Sequence, residues 1–360
     1  MKPTNPSSQP KELDHRWSRS HGNTLDSTWV SAGLPVPQHW DTADSNWNRA
    51  VADSNVVDPF CCRTDWQLSF HQAFAPQREV YISQSAGSVV AFAQTATAYQ
   101  RKLYTPLEAL WLYGSPMLGA HGVELLEQVI RDLSRHDQSA QGPPLFLVSG
   151  FQIGGPVQAE LVQRFERRFQ LLLCNQEILC SASLAGGLEG YLTRRSASHR
   201  RGLKKQSNRA RSLGIGFARH RPLDVQQADQ LFARMIEVEK KSWKGIRQCG
   251  MAEQPSALFY QTMLHRLALA GAARIMFARH AGEDIGFIFG GVFDGIYRGQ
   301  QFSYVDHWQR HSIGNLLQIE QIRWLCEEHA VRYDMGPMMD YKQHWTEHRD
   351  RIAAWYLAPR

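Results

Sequence analysis

Two tight turns constrain this chain more than any other feature. Gly87 separates the apolar runs EVYIS and SVVAFAQ, and Asp294-Gly295 separates IGFIFGGVF from GQQFSYV. β-Branched and aromatic runs joined through residues that tolerate positive φ read as antiparallel hairpins. Both hairpins sit in a similar order of elements. In the first half, ALWLY reads as a third strand. GVELLEQVIRDL follows as a helix whose Val123, Leu126, Val129, Ile130 and Leu133 share one face, then come strand LFLVSG, helix VQAELVQRFERRF and strand ILCSASL. In the second half, a helix capped by Asp224 and another closed by Gly271 precede ARIMFARH, a Gly282 turn and the second hairpin. NLLQIEQIRWLCEEH then reads as an amphipathic helix and VRYDMG as a short strand. Two α+β halves of like order imply an old duplication.

With 360 residues, 43% hydrophobic and 21% charged, the chain is long enough for two domains with a core each. Residues 1–55 read as a polar, partly ordered arm whose Trp17, Trp29, Trp40 and Trp47 dock some of it on the body. The first half is placed at 56–188, a basic connecting segment at 189–222 and the second half at 223–360. No run reaches the roughly 18 apolar residues of a membrane span, and MKPTNPSSQP lacks the apolar centre of a signal peptide. A soluble, cytoplasmic protein is expected. Six cysteines without a C-x-x-C pair fit reduced thiols rather than a disulfide framework or zinc knuckle.

The net charge is +6, and its distribution is uneven. Between Glu189 and Asp224 there is no acidic residue, while Arg194, Arg195, Arg200, Arg201, Lys204, Lys205, Arg209, Arg211, Arg219 and Arg221 supply ten cations. Without these ten the rest of the chain stands at −4. Such a run is either a solvated helix between domains or a cradle for phosphates. Aromatic residues are sparse in it, which argues against a stacking platform for single strands.

SYVDHWQRHSIGNLLQIEQIRWL is the most informative segment. A strand ending near Val305 leads through Gln309, Arg310, His311, Ser312, Ile313 and Gly314 into a helix. Amides at a helix N-terminus lack intrahelical acceptors and carry the positive end of the dipole, so this turn can hold a pyrophosphate. The alternative is an ordinary strand-to-helix turn with Ser312 as N-cap.

Q-R-H-S-I-G resembles the R/Q-x-x-G-x-G/A coenzyme-A loop of the GNAT N-acyltransferases, with Ser312 in place of the first glycine. The order YLTRRSASHRRGLKKQSNRAR, EKKSWKG, Gly314 loop, YDMG and YKQHW is similar to the GNAT-related branch of CelD/BcsL-type cellulose-biosynthesis proteins and FemAB-like transferases, over about residues 189–350. The resemblance implies an α+β fold of two tandem GNAT-like lobes, each a mixed, mostly antiparallel sheet flanked by helices. It implies transfer of an acyl group, acetyl being the expected one, from acyl-coenzyme A to an amine or hydroxyl of a small molecule or glycan precursor. Coenzyme A would lie against Val305, Gln309, Arg310, His311, Ser312, Ile313, Gly314 and Asn315. Asp306 and Glu239 are the candidate bases and Tyr341 the candidate acid. Trp243, Lys244 and Lys342 are placed at the substrate, Lys342 holding a carboxylate or phosphate. The FemAB-like branch implies aminoacyl-tRNA as an alternative donor, and a non-catalytic accessory role in a polysaccharide or envelope pathway is the reading from a different class. The comparable first-half loop, Ser115 to Gly122, contains Pro116, which removes a backbone donor; that half is expected to be structural or to shape the acceptor groove.

Other chemistries find less support. His344, Glu347 and His348 spell H-x-x-E-H, but the motif follows Pro337 and loop-like residues, and no metal site is expected. Cys249 lacks a neighbouring histidine in sequence, no G-x-S-x-G elbow or P-loop occurs, and Gly214-Ile215-Gly216 lacks the third glycine of a dinucleotide fingerprint.

Overall fold

The structure is a computed structural model that describes residues 26–42, 44–136 and 142–360. Thirteen strands form one sheet: β1 (Asp26–Val30), β2 (Glu79–Ser85), β3 (Ser88–Ala96), β4 (Lys102–Thr105), β5 (Met117–Leu118), β6 (Leu145–Gln152), β7 (Phe169–Ser183), β8 (Gly216–His220), β9 (Ala273–His280), β10 (Glu283–Phe293), β11 (Ile296–Tyr304), β12 (Arg332–Pro337) and β13 (His348–Pro359). Their order across the sheet is β1-β2-β3-β4-β6-β13-β7-β12-β11-β10-β9-β8, with β5 beside β3.

The hairpin turns behave as their sequences dictate. Ala86-Gly87, Ala281-Gly282 and Asp294-Gly295 all have positive φ at both residues, the geometry of two-residue turns whose twist matches the strands they join. Each lobe then contains one parallel pair, β4 with β6 and β11 with β12. The two strands of such a pair need not stay together, and this freedom creates the site described below.

The lobes exchange their last strands. β13 runs antiparallel between β6 and β7, so the final strand of the chain completes the first lobe. The second half of β7 pairs with β12, as Arg332↔Ser183 and Asp334↔Ser181, and so completes the second lobe. Two strands that sequence alone assigns to their own halves thus each close the other.

A shared core joins the lobes. Phe60, Trp66 and Phe70 from the first half pack with Met235, Phe259 and Met263 of helices Val225–Lys240 and Ser256–Leu269. The helix Gly122–His136 covers a second core with Leu126, Val129 and Leu133 on Phe146 and Val148 of β6. From the expected arm, Trp40 and Trp47 are buried, Trp29 is partly exposed on β1, and Trp17 lies outside the described residues.

ALWLY is not a strand. The third strand of the first lobe is Lys102–Thr105, and residues 109–113 form a loop folded around the buried Glu108. Its carboxylate accepts the amides of Leu110, Trp111, Leu112 and Tyr113, at 2.8, 2.6, 3.1 and 3.2 Å. Those donors would otherwise need a neighbouring strand, so the side chain substitutes for a sheet partner.

Candidate active site

β11 and β12 stay paired from Ile296↔Arg332 to Arg298↔Asp334 and then part. From Gly299 onward β11 keeps β10 on one side and borders a cavity of about 530 Å³ on the other. The N–H of Val305 donates to Ile285 on the β10 side. Alternation along a strand therefore turns the N–H and C=O groups of Tyr304 and Phe302 toward the unpaired edge. The Phe302 carbonyl confirms the direction, because it receives Lys244 Nζ at 3.0 Å.

Three other walls complete the cavity. The short helix Trp243–Ile246 and the turn after it bring Trp243, Lys244, Cys249, Gly250 and Met251. The chain leaving β12 brings Pro337, Met339, Tyr341 and Lys342. The first lobe contributes Trp66, Trp111 and Tyr113, the latter two carried on the loop around Glu108. No aspartate, glutamate or histidine is among the described wall residues.

Glu239 and Lys244 form one unit. Glu239 is wholly buried at the end of Val225–Lys240, accepts the Met251 amide at 3.0 Å and lies 3.4 Å from Lys244 Nζ. It stands behind the wall. Gly250 is required there, since any Cβ at that position would overlap the Glu239 carboxylate. Lys244 Nζ also donates to Gln301 Oε1 at 2.9 Å. Burial pulls its pKa below the usual lysine value, and Glu239 opposes the shift.

Lys342 is a different lysine. It is 6% exposed, donates to the Pro337 carbonyl at 2.6 Å and has no carboxylate within 4 Å among the described residues. Burial first, and then the Arg298 guanidinium, lower its pKa to about 7. Tyr341 beside it is partly exposed, with its ring edge-on to Phe302 at 5.6 Å; burial raises its phenol to about 12.

Arg298 anchors the floor. It is 4% exposed and donates through Nε to Asp58 at 2.9 Å, while the other Asp58 oxygen caps the helix Pro59–Cys62. The cation and its partner come from different lobes.

The remaining sequence-selected residues lie outside the cavity wall. Asp306 is exposed at the start of the 3-10 turn Asp306–His311, its amide bonded to Lys241 O. Gln309, Arg310 and His311 finish this turn, so the expected open loop is a helical one. Ser312 follows with φ +57° and its hydroxyl does not cap the helix Ile313–Glu327. The amides of Ile313, Gly314 and Asn315 thus remain first-turn donors with no intrahelical acceptor. Arg310 is exposed beside them, and Arg209 and Arg310 hold the His311 imidazole below its usual pKa, burial being the larger cause. This donor and cation set fits a phosphate group. Gly314 serves packing as well, because a Cβ would come within 3.1 Å of Phe302 and 3.3 Å of Tyr304. Those two rings separate the helix end from the cavity, and Val305 and Ile313 are buried behind them.

Of the ten junction cations, four are paired with three carboxylates. Arg194 and Arg195 pair with Glu347, Arg219 with Glu327 and Arg221 with Glu328. Arg200, Arg201, Lys204, Lys205, Arg209 and Arg211 are exposed on helix Ala197–Ser212 without a carboxylate partner among the described residues. Glu347 is therefore committed to arginines rather than to a metal, and His344 stacks on His199. No group of three or more His, Cys, Asp or Glu among the described residues is placed to hold a metal ion, and no helix there is long and apolar enough to cross a membrane.

The two splayed lobes and the free strand edge are the architecture of a tandem GNAT-like fold. Residues 197–343, the basic helix through Lys342, match the acetyltransferase (GNAT) domain family. Comparison with functionally curated proteins returns no sequence match. Among solved structures, FemX superposes with a TM-score of 0.61 at 9% identity, covering 89% of this chain and 96% of its own. A conserved protein of unknown function from Bacteroides thetaiotaomicron gives 0.58 at 11%, covering 87% and 96%. L-PGS from Bacillus licheniformis gives 0.53 at 11%, covering 92% and 93%. At these identities the likeness establishes the two-lobed fold over nearly the whole chain.

Proposed function

We propose that this chain is an acyl-coenzyme A-dependent N- or O-acyltransferase whose acceptor enters the cavity between the lobes. The observation that carries the reading is the parting of β11 from β12, which leaves inward-facing amides of Phe302 and Tyr304 beside a cavity of about 530 Å³. An amide fixed on such an edge stabilises the oxyanion that develops when a nucleophile attacks a thioester carbonyl. The first-turn amides of Gly314 and Asn315 with Arg310 and Arg209 would hold the phosphates of the donor. Tyr341, whose phenol stays protonated to about pH 12, would give its proton to the leaving thiolate. Lys244, held charged by Glu239, orders Gln301 and the Phe302 carbonyl at the reacting edge. Trp66, Trp111 and Tyr113 would shape the acceptor side and favour an acceptor with an apolar portion.

Isothermal titration with coenzyme A tests the donor. Binding is expected, weaker after Arg310→Gln; absence of binding at millimolar concentration would overturn the reading. The six unpaired cations of Ala197–Ser212 favour aminoacyl-tRNA as the second reading. Under it, tRNA binding weakens steeply with salt, with a slope of about −0.7 to −0.9 per phosphate contact. Binding that ignores salt would count against it.

A further inference from the structure

We infer that Lys342 is the general base of the transfer, acting through an unprotonated ε-amine. The inference rests on the acyl-transfer reading above and adds the group that removes the acceptor's proton.

The cavity wall supplies few candidates. It has no carboxylate or imidazole among the described residues. Glu239 is sealed behind Gly250 and engaged with Lys244, and Asp306 is exposed and does not line the cavity. Arg298 cannot lose its proton, being paired with Asp58. Cys249 is on the wall as well, but of the nitrogen bases two lysines remain, and their surroundings differ in the one respect that matters. Lys244 has a carboxylate at 3.4 Å to keep it a cation; Lys342 has a carbonyl oxygen.

Charged and titratable groups facing Lys342 are Arg298 from β11, Cys180 and Glu177 from β7, and the adjacent Tyr341. The strongest influences are burial and then the like charge of Arg298, which favour the neutral amine. A neutral amine can give one N–H to the Pro337 carbonyl and leave its lone pair for the cavity. The protonated form would place its charge in a buried setting beside Arg298 with no carboxylate paired to it among the described residues.

The step balances without a further reactant. The Nζ lone pair takes the proton from the acceptor's amine or hydroxyl as that atom forms its bond to the thioester carbon. The C–S bond then breaks, and the thiolate takes a proton from the Tyr341 phenol. Transfer of the extra proton from Lys342 back to Tyr341, directly or through water, restores both groups.

The test separates a base from a cationic anchor. Whole-chain protein carrying 13C at lysine Cε is titrated by NMR, with the Lys342 signal assigned by its loss in Lys342→Met. A midpoint near 7 supports the base, and a midpoint near 10 overturns it whatever the donor proves to be. Turnover is read as thiol release from acetyl-coenzyme A with hydroxylamine as the surrogate nucleophile. Lys342→Met and Lys342→Arg are both expected to lose about 10²–10⁴-fold in kcat/KM, with coenzyme A binding and melting temperature retained in Lys342→Met. Arginine supplies the charge a cationic anchor would need but is no base, so activity within threefold of wild type in Lys342→Arg would overturn the inference. Failure of wild-type protein to bind coenzyme A would sink the donor reading alone, because the NMR midpoint is measured on the protein by itself.

Discussion

The two lobes part their parallel strands in the same way and fill the gap differently. In the second lobe the space between β11 and β12 is the cavity. In the first, β4 and β6 pair only at Leu103↔Leu145 and Tyr104↔Phe146, and the gap beyond is plugged by residues 112–116. Ser149 donates to the Gly114 carbonyl at 2.6 Å, and Gly150 lies so close to Gly114 and Ser115 that a Cβ would come within 2.6 Å of their backbone. The helix ends repeat the contrast. At Gly122–His136 the preceding amides of Gly119 and His121 are taken by Ser54 and Ser88, and Asp53 and Glu160 line the adjoining hollow. At Ile313–Glu327 the half-buried Gly314 and Asn315 amides have no side-chain cap, and Arg209 and Arg310 are exposed nearby. One framework thus serves as a closed support or an open site, according to whether the chain supplies its own occupant. The plug is not idle, since the same loop carries Trp111 and Tyr113 into the other lobe's cavity.

The largest expected effect comes from cutting the tie between the lobes. Asp58→Ala leaves the buried Arg298 without its partner and is expected to cost about 3–5 kcal/mol, measured as a lower urea midpoint. A smaller change would mean that the lobes share less than their common core indicates. Glu108→Gln removes the charge that gathers four loop amides and should cost roughly 1–3 kcal/mol, with turnover falling as Trp111 and Tyr113 lose their setting. Lost stability with full activity would separate the plug from the wall.

A third test uses the open lobe's buried amine. Because Lys342 titrates near 7 when folded and near 10.5 when unfolded, the unfolded chain holds the extra proton between these values. Stability should therefore rise with pH across that window, by at most about 1.4 kcal/mol per pH unit from this group. Lys342→Met should flatten that part of the profile and narrow its deficit or gain stability at pH 6; identical slopes would contradict the assignment. The smallest effects compare the helix ends. Arg310→Gln is expected to weaken coenzyme A binding about tenfold, or ~1.4 kcal/mol, and His121→Ala in the first lobe to leave it within about twofold. Equal losses would erase the distinction between lobes.

Much of the fold could be read locally. Paired positive-φ turn residues marked the hairpins, and Asp224, which accepts the Gln227 amide at 2.7 Å, marked a helix start. The cavity also gathers Trp243, Lys244, Tyr341 and Lys342, which are neighbours in sequence pairs and needed only a motif to be noticed. What sequence hid was long-range. Trp111 and Tyr113 lie in a run that reads as a strand, Trp66 carries no motif, and nothing near them announces a cavity built more than a hundred residues later. ALWLY has a strand's composition, and only a buried Glu108 beside it makes it a loop; Pro106 and Pro116 bracketing the segment were the local hint. Pairing of β13 with β6 had no local signal at all, because an apolar strand does not state which edge it will join.

That exchange of last strands bears on how the molecule comes into being. During synthesis the first lobe can gather its helices early, yet the β6 edge waits for residues 348–359, almost two hundred positions downstream. Until then an unpaired hydrogen-bonding edge stands open to other chains, and closure depends on slow, distant contacts. A cut between the lobes therefore leaves each half holding the strand its partner requires.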